Sequence, residues 1–263
     1  MSRKLIFLDV DGTLVDFTMH MPESAREALS IARKRGHLIS LCTGRTVTNV
    51  YPWLLEFGFD AIVASAGAYV SANDKVIYHS VLANDKVQDM VEVLKEHGAC
   101  FMLQGINGRY VDEENAKKMR ERCMRLGLDI DGALNGLTLV EHPEQMPALD
   151  ADIPVDVMQK EVGNYIKITG ASFGKDRQMS GEMTKMGVNK ATGMQRLMDE
   201  LKIGREDTIA FGDSMNDYQM LEAVNYGVVY EGASDKVKAV ANDTFIDPDR
   251  DSIALSLKKL NII

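Results

Sequence analysis

An apolar run near the start of the chain ends in two aspartates. In the stretch Ile-Phe-Leu-Asp-Val-Asp-Gly-Thr, which runs from Ile6 to Thr13, Asp9 and Asp11 are separated by one residue. If the extended geometry of a strand persists, the two side chains leave the same face of the chain. Two negative charges placed so close together repel each other unless a positive charge lies between them. The pair therefore predicts a bound cation or a cationic side chain nearby.

Three further stretches carry side chains that suit the same chemistry. They are Thr43-Gly44-Arg45, Lys190, and the run Gly212-Asp213-Ser214-Met215-Asn216-Asp217. The first, second and last of these four pieces each lie at the carboxyl end of a predicted strand, and Lys190 begins a predicted helix. The carboxyl ends of the strands in a doubly wound sheet open onto one crevice, so we expect these dispersed pieces to converge there.

The acidic side chains predict a magnesium site. Asp9, Asp11 and Asp213 offer hard oxygen ligands, and no histidine or cysteine stands near them in the sequence. Such a donor set suits Mg²⁺ rather than zinc. A magnesium ion there would also hold a phosphate oxygen.

The remaining polar groups predict phosphoryl transfer. Lys190 adds a compact positive charge, and the Thr43 hydroxyl and the Gly44 amide can donate hydrogen bonds to phosphate oxygens. An aspartate in these surroundings can attack phosphorus and form an aspartyl-phosphate. Catalysis would then rest mainly on positioning and charge neutralisation.

Alternating strands and helices position these residues. Strands are predicted over 4–8, 37–43, 61–65, 208–211, 226–230 and 244–246, with a hairpin over 68–80. Helices are predicted from Pro22 to Gly36, over 47–58, 189–201 and 216–224, from near Ser234, and through Leu257. This alternation predicts an α/β fold with a parallel, right-handed, doubly wound core sheet, similar to a Rossmann core.

The middle of the chain shows a different pattern of predicted helices and strands. A helix over 84–98 precedes short adjacent strands over 99–104 and 108–112, a helix over 115–126 and a strand over 164–170, and 132–156 shows no clear pattern. Helices mixed with hairpin strands predict an inserted α+β domain. The expected division is a core domain over 1–81 and 185–263, interrupted by a cap domain over 82–184.

Composition limits the class of partner. The net charge is −9 and the isoelectric point is about 5.1, which argues against a nucleic-acid or anionic-membrane binder. The 3 cysteines stand far apart and fit neither a disulfide framework nor a zinc spacing. Without a signal-peptide pattern or a membrane-spanning apolar run, we expect a cytoplasmic protein. No sequence pattern indicates its oligomeric state.

The four pieces, in this order, resemble the haloacid dehalogenase superfamily of phosphatases. The large insertion between the second and third pieces is similar to the type-two cap of the Cof-type branch, subclass IIB. The run from Gly187 to Leu221, GVNKATGMQRLMDEL…GDSMNDYQML, matches that branch over most of its length. The resemblance therefore covers nearly the whole chain.

The resemblance implies a role for each candidate residue. Asp9 would be the nucleophile and a metal ligand; Asp11 would be the general acid and then the general base, and would bind the metal through its backbone carbonyl. Asp213 would bind the metal. Thr13, Arg45 and Asp217 would position the residues that contact metal and phosphate without contacting these groups themselves. The residues that would bind the phosphate are Val10, Thr43, Gly44, Lys190 and Asn216. Arg45 could instead contact the substrate, and its residue type leaves both possibilities open.

The sequence departs from the branch in places that bear on substrate choice. The branch usually has Asn-Gly-Ala after its third strand, where this chain has Ala66-Gly67-Ala68. Lys185 stands where proline is common, and Ala191 stands where glycine follows the lysine. The phosphotransfer residues are all present.

The expected function is a Mg²⁺-dependent phosphatase that acts on small phosphorylated metabolites, such as sugar phosphates or phosphorylated cofactors. A sugar phosphomutase would use the same nucleophile, and the motifs do not distinguish transfer to water from transfer to a sugar hydroxyl. A signalling receiver module also combines an acidic cluster with threonine and lysine, but the large insertion and the Asp-x-Asp-Gly-Thr signature weigh against that compact fold.

Overall fold

The computed structural model describes residues 2–16, 18–126, 133–135, 143–149, 151–170, 179–248 and 251–263. The described strands are β1 (Leu5–Leu8), β2 (Leu38–Cys42), β3 (Ala61–Ala64), β4 (Tyr69–Ala72), β5 (Lys75–His79), β6 (Cys100–Phe101), β7 (Leu103–Gly105), β8 (Gly108–Val111), β9 (Ala133–Asn135), β10 (Pro143–Leu149), β11 (Ile166–Gly170), β12 (Gly181–Lys185), β13 (Thr208–Gly212), β14 (Tyr226–Tyr230) and β15 (Asp243–Phe245). The described α-helices are α1 (Glu23–Lys34), α2 (Pro52–Leu55), α3 (Asn84–Glu96), α4 (Glu113–Leu126), α5 (Val155–Glu161), α6 (Lys190–Leu201), α7 (Tyr218–Ala223), α8 (Asp235–Lys238) and α9 (Ser252–Lys259).

The chain divides into two compact units. Unit 1 comprises Met1–Arg45, Val50–His79 and Asn189–Ile263, and unit 2 comprises Thr46–Asn49 and Ser80–Val188. The segment Thr46–Asn49 belongs to unit 2 although no sequence pattern singled it out. None of the helices in the described ranges has both the length and the apolar character needed to cross a bilayer.

Unit 1 is built on a sheet whose described strands run in the order β15-β14-β13-β1-β2-β3-β4-β5. From β15 to β3 every pairing is parallel, and β4 and β5 complete the sheet as an antiparallel hairpin. The chain moves outward from β1 through β2 in one direction and through β13 in the other. The boundary between β1 and β13 is therefore the switch point at which such sheets place their sites.

The middle strand β1 is buried on both faces. Ile6 and Leu8 join a core with α1 and α9, whereas Leu5 and Phe7 join a separate core with α6 and α7. A strand covered by helices on both sides needs apolar residues at every position, which explains why the sequence shows no polar alternation there. The predicted α/β class and parallel core sheet are confirmed.

The helix predicted over 47–58 is wrong as a single element. A short 3₁₀ turn spans Val47–Asn49, and α2 begins only at Pro52. The proline ring disfavours helical backbone in the residue before it, and Tyr51 accordingly has φ −55° and ψ 126°.

Unit 2 is a separate, mainly antiparallel sheet with helices. Its described strands run in the order β11-β12-β10-β7-β8-β9, with β6 paired to β10, and only β8 and β9 among them pair in parallel. Ile166, Ile168 and Met183 pack with α3 residues such as Met90 and Leu94 in one core. The α+β cap expected from the sequence is confirmed as a fold type, although parts of its predicted range lie outside the described residues.

Candidate active site

Asp9 lies at the carboxyl end of β1, where a tight loop begins. Its amide donates to the Phe211 carbonyl at 3.0 Å, which extends the pairing of β1 with β13 by one residue. Gly12 has φ +78°, a left-handed conformation that glycine adopts without strain, and its amide donates to the Val15 carbonyl at 2.9 Å. The loop therefore turns back on itself directly after Asp9.

The same loop leaves backbone groups available. Within the described residues, the Val10 amide donates no hydrogen bond and the Asp11 carbonyl accepts none. The Val10 side chain is buried, whereas the Asp11 side chain is 49% exposed. Val10 and Asp11 thus differ in the group that each can offer to a ligand: an amide donor from one, and a carbonyl and a carboxylate from the other.

Lys190 lies in the centre of the site. The capping box of Asn189 and Thr192 starts α6 immediately before it, with the Thr192 amide donating to Asn189 Oδ1 at 3.0 Å. The Lys190 side chain is fully buried, and its Nζ donates to Asp9 Oδ1 at 2.7 Å and to Asp217 Oδ1 at 2.6 Å. Burial favours the neutral amine, but Asp217 and Asp9 outweigh it, so the pKa of Lys190 lies above its ordinary value.

Asp217 organises the loop that follows β13. Its Oδ2 accepts hydrogen bonds from the amides of Asp213 and Ser214, each at 3.0 Å, while its Oδ1 holds Lys190. A Cβ atom at Gly212 would lie 2.7 Å from the Asp217 Cβ, so a larger residue there would displace this carboxylate. Both Asp217 oxygens are therefore engaged by the protein.

Asp213 is oriented by the first loop. Thr13 Oγ1 donates to Asp213 Oδ1 at 3.1 Å, and a Cβ atom at Gly12 would approach the Asp213 carboxyl carbon to 3.1 Å. Asn216 is half-buried, and its Oδ1 accepts from Ser214 Oγ at 2.9 Å. The structure thus brings the loops after β1 and β13 into direct contact.

The carboxylates form a cluster that can hold a divalent cation. One oxygen each from Asp9, Asp213 and Asp217 lie within 4.8 Å of one another. Burial and the Asp217 charge raise the pKa of Asp9 to about 7 against the opposing effect of Lys190, and burial with Asp217 and Asp9 also raises the pKa of Asp213. The negative charge is thus only partly compensated by Lys190, and the hard oxygen donors fit Mg²⁺.

The carboxylate cluster of Asp9, Asp213 and Asp217 differs from the metal-ligand set expected from the sequence, which had Asp11 in place of Asp217. Asp217 stands in the carboxylate cluster, but both of its oxygens already accept hydrogen bonds. Within the described residues Asp9 Oδ2 accepts none, so Asp9 retains an oxygen for a ligand.

The second piece follows β2, which neighbours β1. The Thr43 amide donates to the Val63 carbonyl at 2.9 Å, and Thr43 Oγ1 accepts from the Arg45 amide at 3.1 Å. Gly44 follows Thr43 at the same carboxyl edge of the sheet. Beneath it, the Cys42 thiol is buried, and burial raises its pKa, so Cys42 is a neutral neighbour of the charged cluster.

Arg45 forms a bidentate ion pair with Asp11 through two hydrogen bonds. Its Nε lies 2.6 Å from Asp11 Oδ2, and its Nη2 lies 2.8 Å from Asp11 Oδ1. Burial disfavours the guanidinium charge, but Asp11 outweighs that effect and the pKa of Arg45 is raised. The partner of Arg45, which the sequence left open, is thus an acidic residue of the site. Sequence reasoning missed Tyr51, whose hydroxyl also contacts this pair; the only signal for its placement was Pro52, which breaks the helix.

Comparison with known proteins places this geometry in a family. A family model for haloacid dehalogenase-like hydrolases matches residues 6–257. The putative phosphatase YkrA of Bacillus subtilis is 26% identical, with 100% of both chains covered. The 5-amino-6-(5-phospho-D-ribitylamino)uracil phosphatase YitU of the same organism is 27% identical, with 97% of this chain and 96% of YitU covered.

Solved structures agree with the sequence relatives. A structure described as the subclass IIB sugar phosphatase BT4131 is 26% identical, with 99% of this chain and 100% of that one covered, and its TM-score is 0.84. Because these relatives are named as phosphatases, the comparisons support the assignment of this chain as a phosphoric monoester hydrolase. The chain belongs to the haloacid dehalogenase-like hydrolase family.

Proposed function

We propose that the protein is a Mg²⁺-dependent phosphatase that hydrolyses small phosphorylated metabolites through an aspartyl-phosphate on Asp9. The observation that carries the proposal is the position of Lys190, whose buried ammonium group joins Asp9 and Asp217 beside the carboxylate of Asp213. This arrangement orients one aspartate and leaves a net negative cluster that a divalent cation would neutralise, and the cation and Lys190 would then together face a phosphoryl group with positive charge.

Asp9 is the proposed nucleophile. Lys190 holds Oδ1, and Oδ2 is the oxygen that accepts no hydrogen bond among the described residues. The Asp9 oxygen forms a bond to phosphorus while the bond from phosphorus to the leaving oxygen breaks. Lys190, the Val10 amide, Thr43, Gly44 and Asn216 are the groups proposed to bind the phosphoryl oxygens.

Asp11 is the proposed general acid and base. It gives a proton to the departing alkoxide, and afterwards takes a proton from the water that attacks the phosphorylated Asp9. Attack at phosphorus releases inorganic phosphate and restores the Asp9 carboxylate, so that the net reaction consumes one water molecule. The Asp11 side chain is 49% exposed even with its contacts to Arg45, so an exchange of protons with substrate and water is open to it.

Asp9, Asp213 and the Asp11 carbonyl are the groups proposed to hold Mg²⁺. When bound, the ion would neutralise charge on the carboxylates and on the phosphoryl oxygens. Thr13 and Asp217 would keep Asp213 in place through the contacts at 3.1 and 3.0 Å described above.

The substrate class is proposed from the relatives. YitU is named for a phosphorylated ribitylaminouracil and BT4131 for sugar phosphates. We therefore expect a phosphate monoester on a sugar, a polyol or a phosphorylated cofactor as the substrate. The free thiol of Cys42 is consistent with the cytoplasmic location expected from the sequence.

The test is a panel of phosphorylated metabolites scored for free phosphate with Mg²⁺ and after chelation. Asp9→Asn should abolish phosphate release while the circular dichroism spectrum stays unchanged. Asp207→Asn is the matched control, since Asp207 pairs with Lys4 directly before the start of β13. Residual activity of Asp9→Asn within tenfold of wild type would contradict the assignment, and an isomerised sugar phosphate without free phosphate would indicate a phosphomutase.

A further inference from the structure

Tyr51 completes a closed ring of contacts with Arg45 and Asp11. Arg45 Nη2 donates to Tyr51 Oη at 2.7 Å, and Tyr51 Oη donates to Asp11 Oδ1 at 3.3 Å. The Arg45 guanidinium carbon also lies 4.3 Å from the centre of the Tyr51 ring. Tyr51 therefore contacts the guanidinium through its ring and its hydroxyl, and reaches Asp11 directly.

The backbone and a neighbouring ring hold Tyr51 in this position. Pro52 keeps Tyr51 extended, and the Tyr51 carbonyl accepts from the Leu54 amide at 3.0 Å. Trp53 stacks on Tyr51 with ring centres 5.4 Å apart and an interplanar angle of 19°. Both aromatic residues pack against the apolar core on the α1 side of the sheet. Tyr51 is thus a fixed support rather than a free surface side chain.

Asp11 needs such a support. Its side chain is 49% exposed and stands on the loop that turns at Gly12, so packing restrains it less than it restrains a buried side chain. The guanidinium group of Arg45 contacts both carboxylate oxygens of Asp11 at once. This group stands at the end of a long side chain with several rotatable bonds, so the contact alone does not fix its position. An anchored group beside the guanidinium would restrict the Arg45 side chain and so help to fix the orientation of Asp11.

We propose that Tyr51 is a positioning residue for proton transfer by Asp11, which it orients both through Arg45 and through its own hydroxyl. The inference rests on the proposed function, because it assumes that Asp11 protonates the leaving group. It assigns Tyr51 to the proton-transfer step, since its hydroxyl contacts both Arg45 and Asp11.

Leaving-group dependence separates this role from a merely structural one. An alkyl phosphate needs a proton at its leaving oxygen, whereas an aryl phosphate such as p-nitrophenyl phosphate departs as a stable anion. The ratio kcat/KM covers steps up to the first irreversible one, so it reports transfer to Asp9 rather than the later hydrolysis. A defect confined to Asp11 should therefore lower kcat/KM for alkyl substrates and spare it for aryl ones.

The experiment compares wild type with Tyr51→Phe, which keeps the ring, and Tyr51→Leu, which removes both contacts. For Tyr51→Phe we expect kcat/KM on an alkyl phosphate to fall about tenfold and on p-nitrophenyl phosphate less than about threefold, with a larger gap for Tyr51→Leu. Tyr226→Phe is the matched control, because the Tyr226 hydroxyl also bonds a carboxylate, that of Asp243 at 3.4 Å, but at the start of β14.

Each outcome bears on a different claim. An equal fall on both substrates, or no change on either, with an active wild type would overturn the role of Tyr51 and leave the proposed function standing. A wild type that releases no phosphate from either class would overturn both. Tyr51→Phe removes one oxygen atom and keeps the stacking on Trp53, so it tests the inference even if Tyr51→Leu fails to fold.

Discussion

Lys190 Nζ lies 2.7 Å from Asp9 Oδ1, although the two residues are 181 positions apart in the chain. Asp9 ends the middle strand of the parallel sheet, and Lys190 begins a helix that follows the inserted unit. The pair is buried, and Asp217 takes the other side of the ammonium group. The centre of the site is therefore a single buried cation shared by two carboxylates, and its removal should affect both folding and chemistry.

Lys190→Met should destabilise the protein strongly and abolish phosphate release. Methionine fills much of the volume but leaves Asp9 and Asp217 buried without their shared counter-charge, at a cost of about 3–5 kcal/mol. The measurement is urea unfolding of wild type and variant. Lys259→Met is the control, since Lys259 pairs with Asp243 at the surface and its loss should change little. Equal stability of Lys190→Met and wild type would contradict the structure of this centre.

Mg²⁺ should raise the unfolding temperature, and Asp213→Asn should weaken the effect. An ion that binds only the folded state stabilises it by about 2.7 kcal/mol at 100 times its dissociation constant. The amide oxygen of the substituted side chain could still accept the hydrogen bond from Thr13, so the loop should persist while a charged ligand is lost. Thermal unfolding with and without Mg²⁺ measures the shift. Asp207→Asn should keep the full shift, and a full shift in Asp213→Asn would exclude Asp213 as a ligand.

Gly67→Ala should impair both stability and activity. Gly67 has φ +98°, and a Cβ atom there would lie 2.1 Å from the Asn189 carbonyl oxygen, directly before Lys190. The clash should cost about 1–3 kcal/mol beyond the strain of the left-handed backbone, and it should displace the start of α6. Gly58→Ala is the matched control, because Gly58 has φ +74° but nothing within 4 Å of the added atom. Similar losses of stability and activity in the two variants would show that backbone strain alone matters.

His97 should make the stability of unit 2 depend on pH. Its ring nitrogens face Asp152 at 3.1 Å and Glu161 at 2.7 Å, and the hydrogen bond with Glu161, followed by the Asp152 contacts, raises the pKa of His97 despite some desolvation. A raised folded-state pKa gives stability that is present below about pH 6.5 and is lost as the pH rises through the folded value. Melting curves of wild type and His97→Gln at pH 6 and pH 8 test this.

For that comparison, the fall in melting temperature from pH 6 to pH 8 should be larger in wild type than in His97→Gln. Glu161→Gln should reduce the fall as well, because it removes the closer of the two carboxylates. An identical pH dependence in all three proteins would show that His97 contributes nothing.

The sequence predicted the elements whose signals are local and strong. β1 and β13 are short apolar runs that end in aspartates, and α6 begins with a capping asparagine and ends before Gly204, so strand ends and the helix start could be located from residue types alone. The convergence of the loops followed from the parallel topology.

Other features depend on contacts that no local pattern encodes. Arg45 could have turned toward substrate, and only the fold shows that Asp11 lies within reach of its fork. The strand β10 lies in the range that gave no pattern, because Pro143 and Pro147 weaken a strand signal. The prediction of a single helix over 47–58 was wrong because it followed the apolar spacing and took no account of Pro52, which keeps Tyr51 out of the helical conformation.

The central position of β1 has a consequence for synthesis of the chain. Leu5 pairs on one side with Leu38 and on the other with Thr208, in a chain of 263 residues. The strand β1 thus finds one neighbour early in translation and must wait for the other until the inserted unit has been translated. A nascent chain of this protein cannot acquire its reaction centre until the residues through Asp217 have left the ribosome.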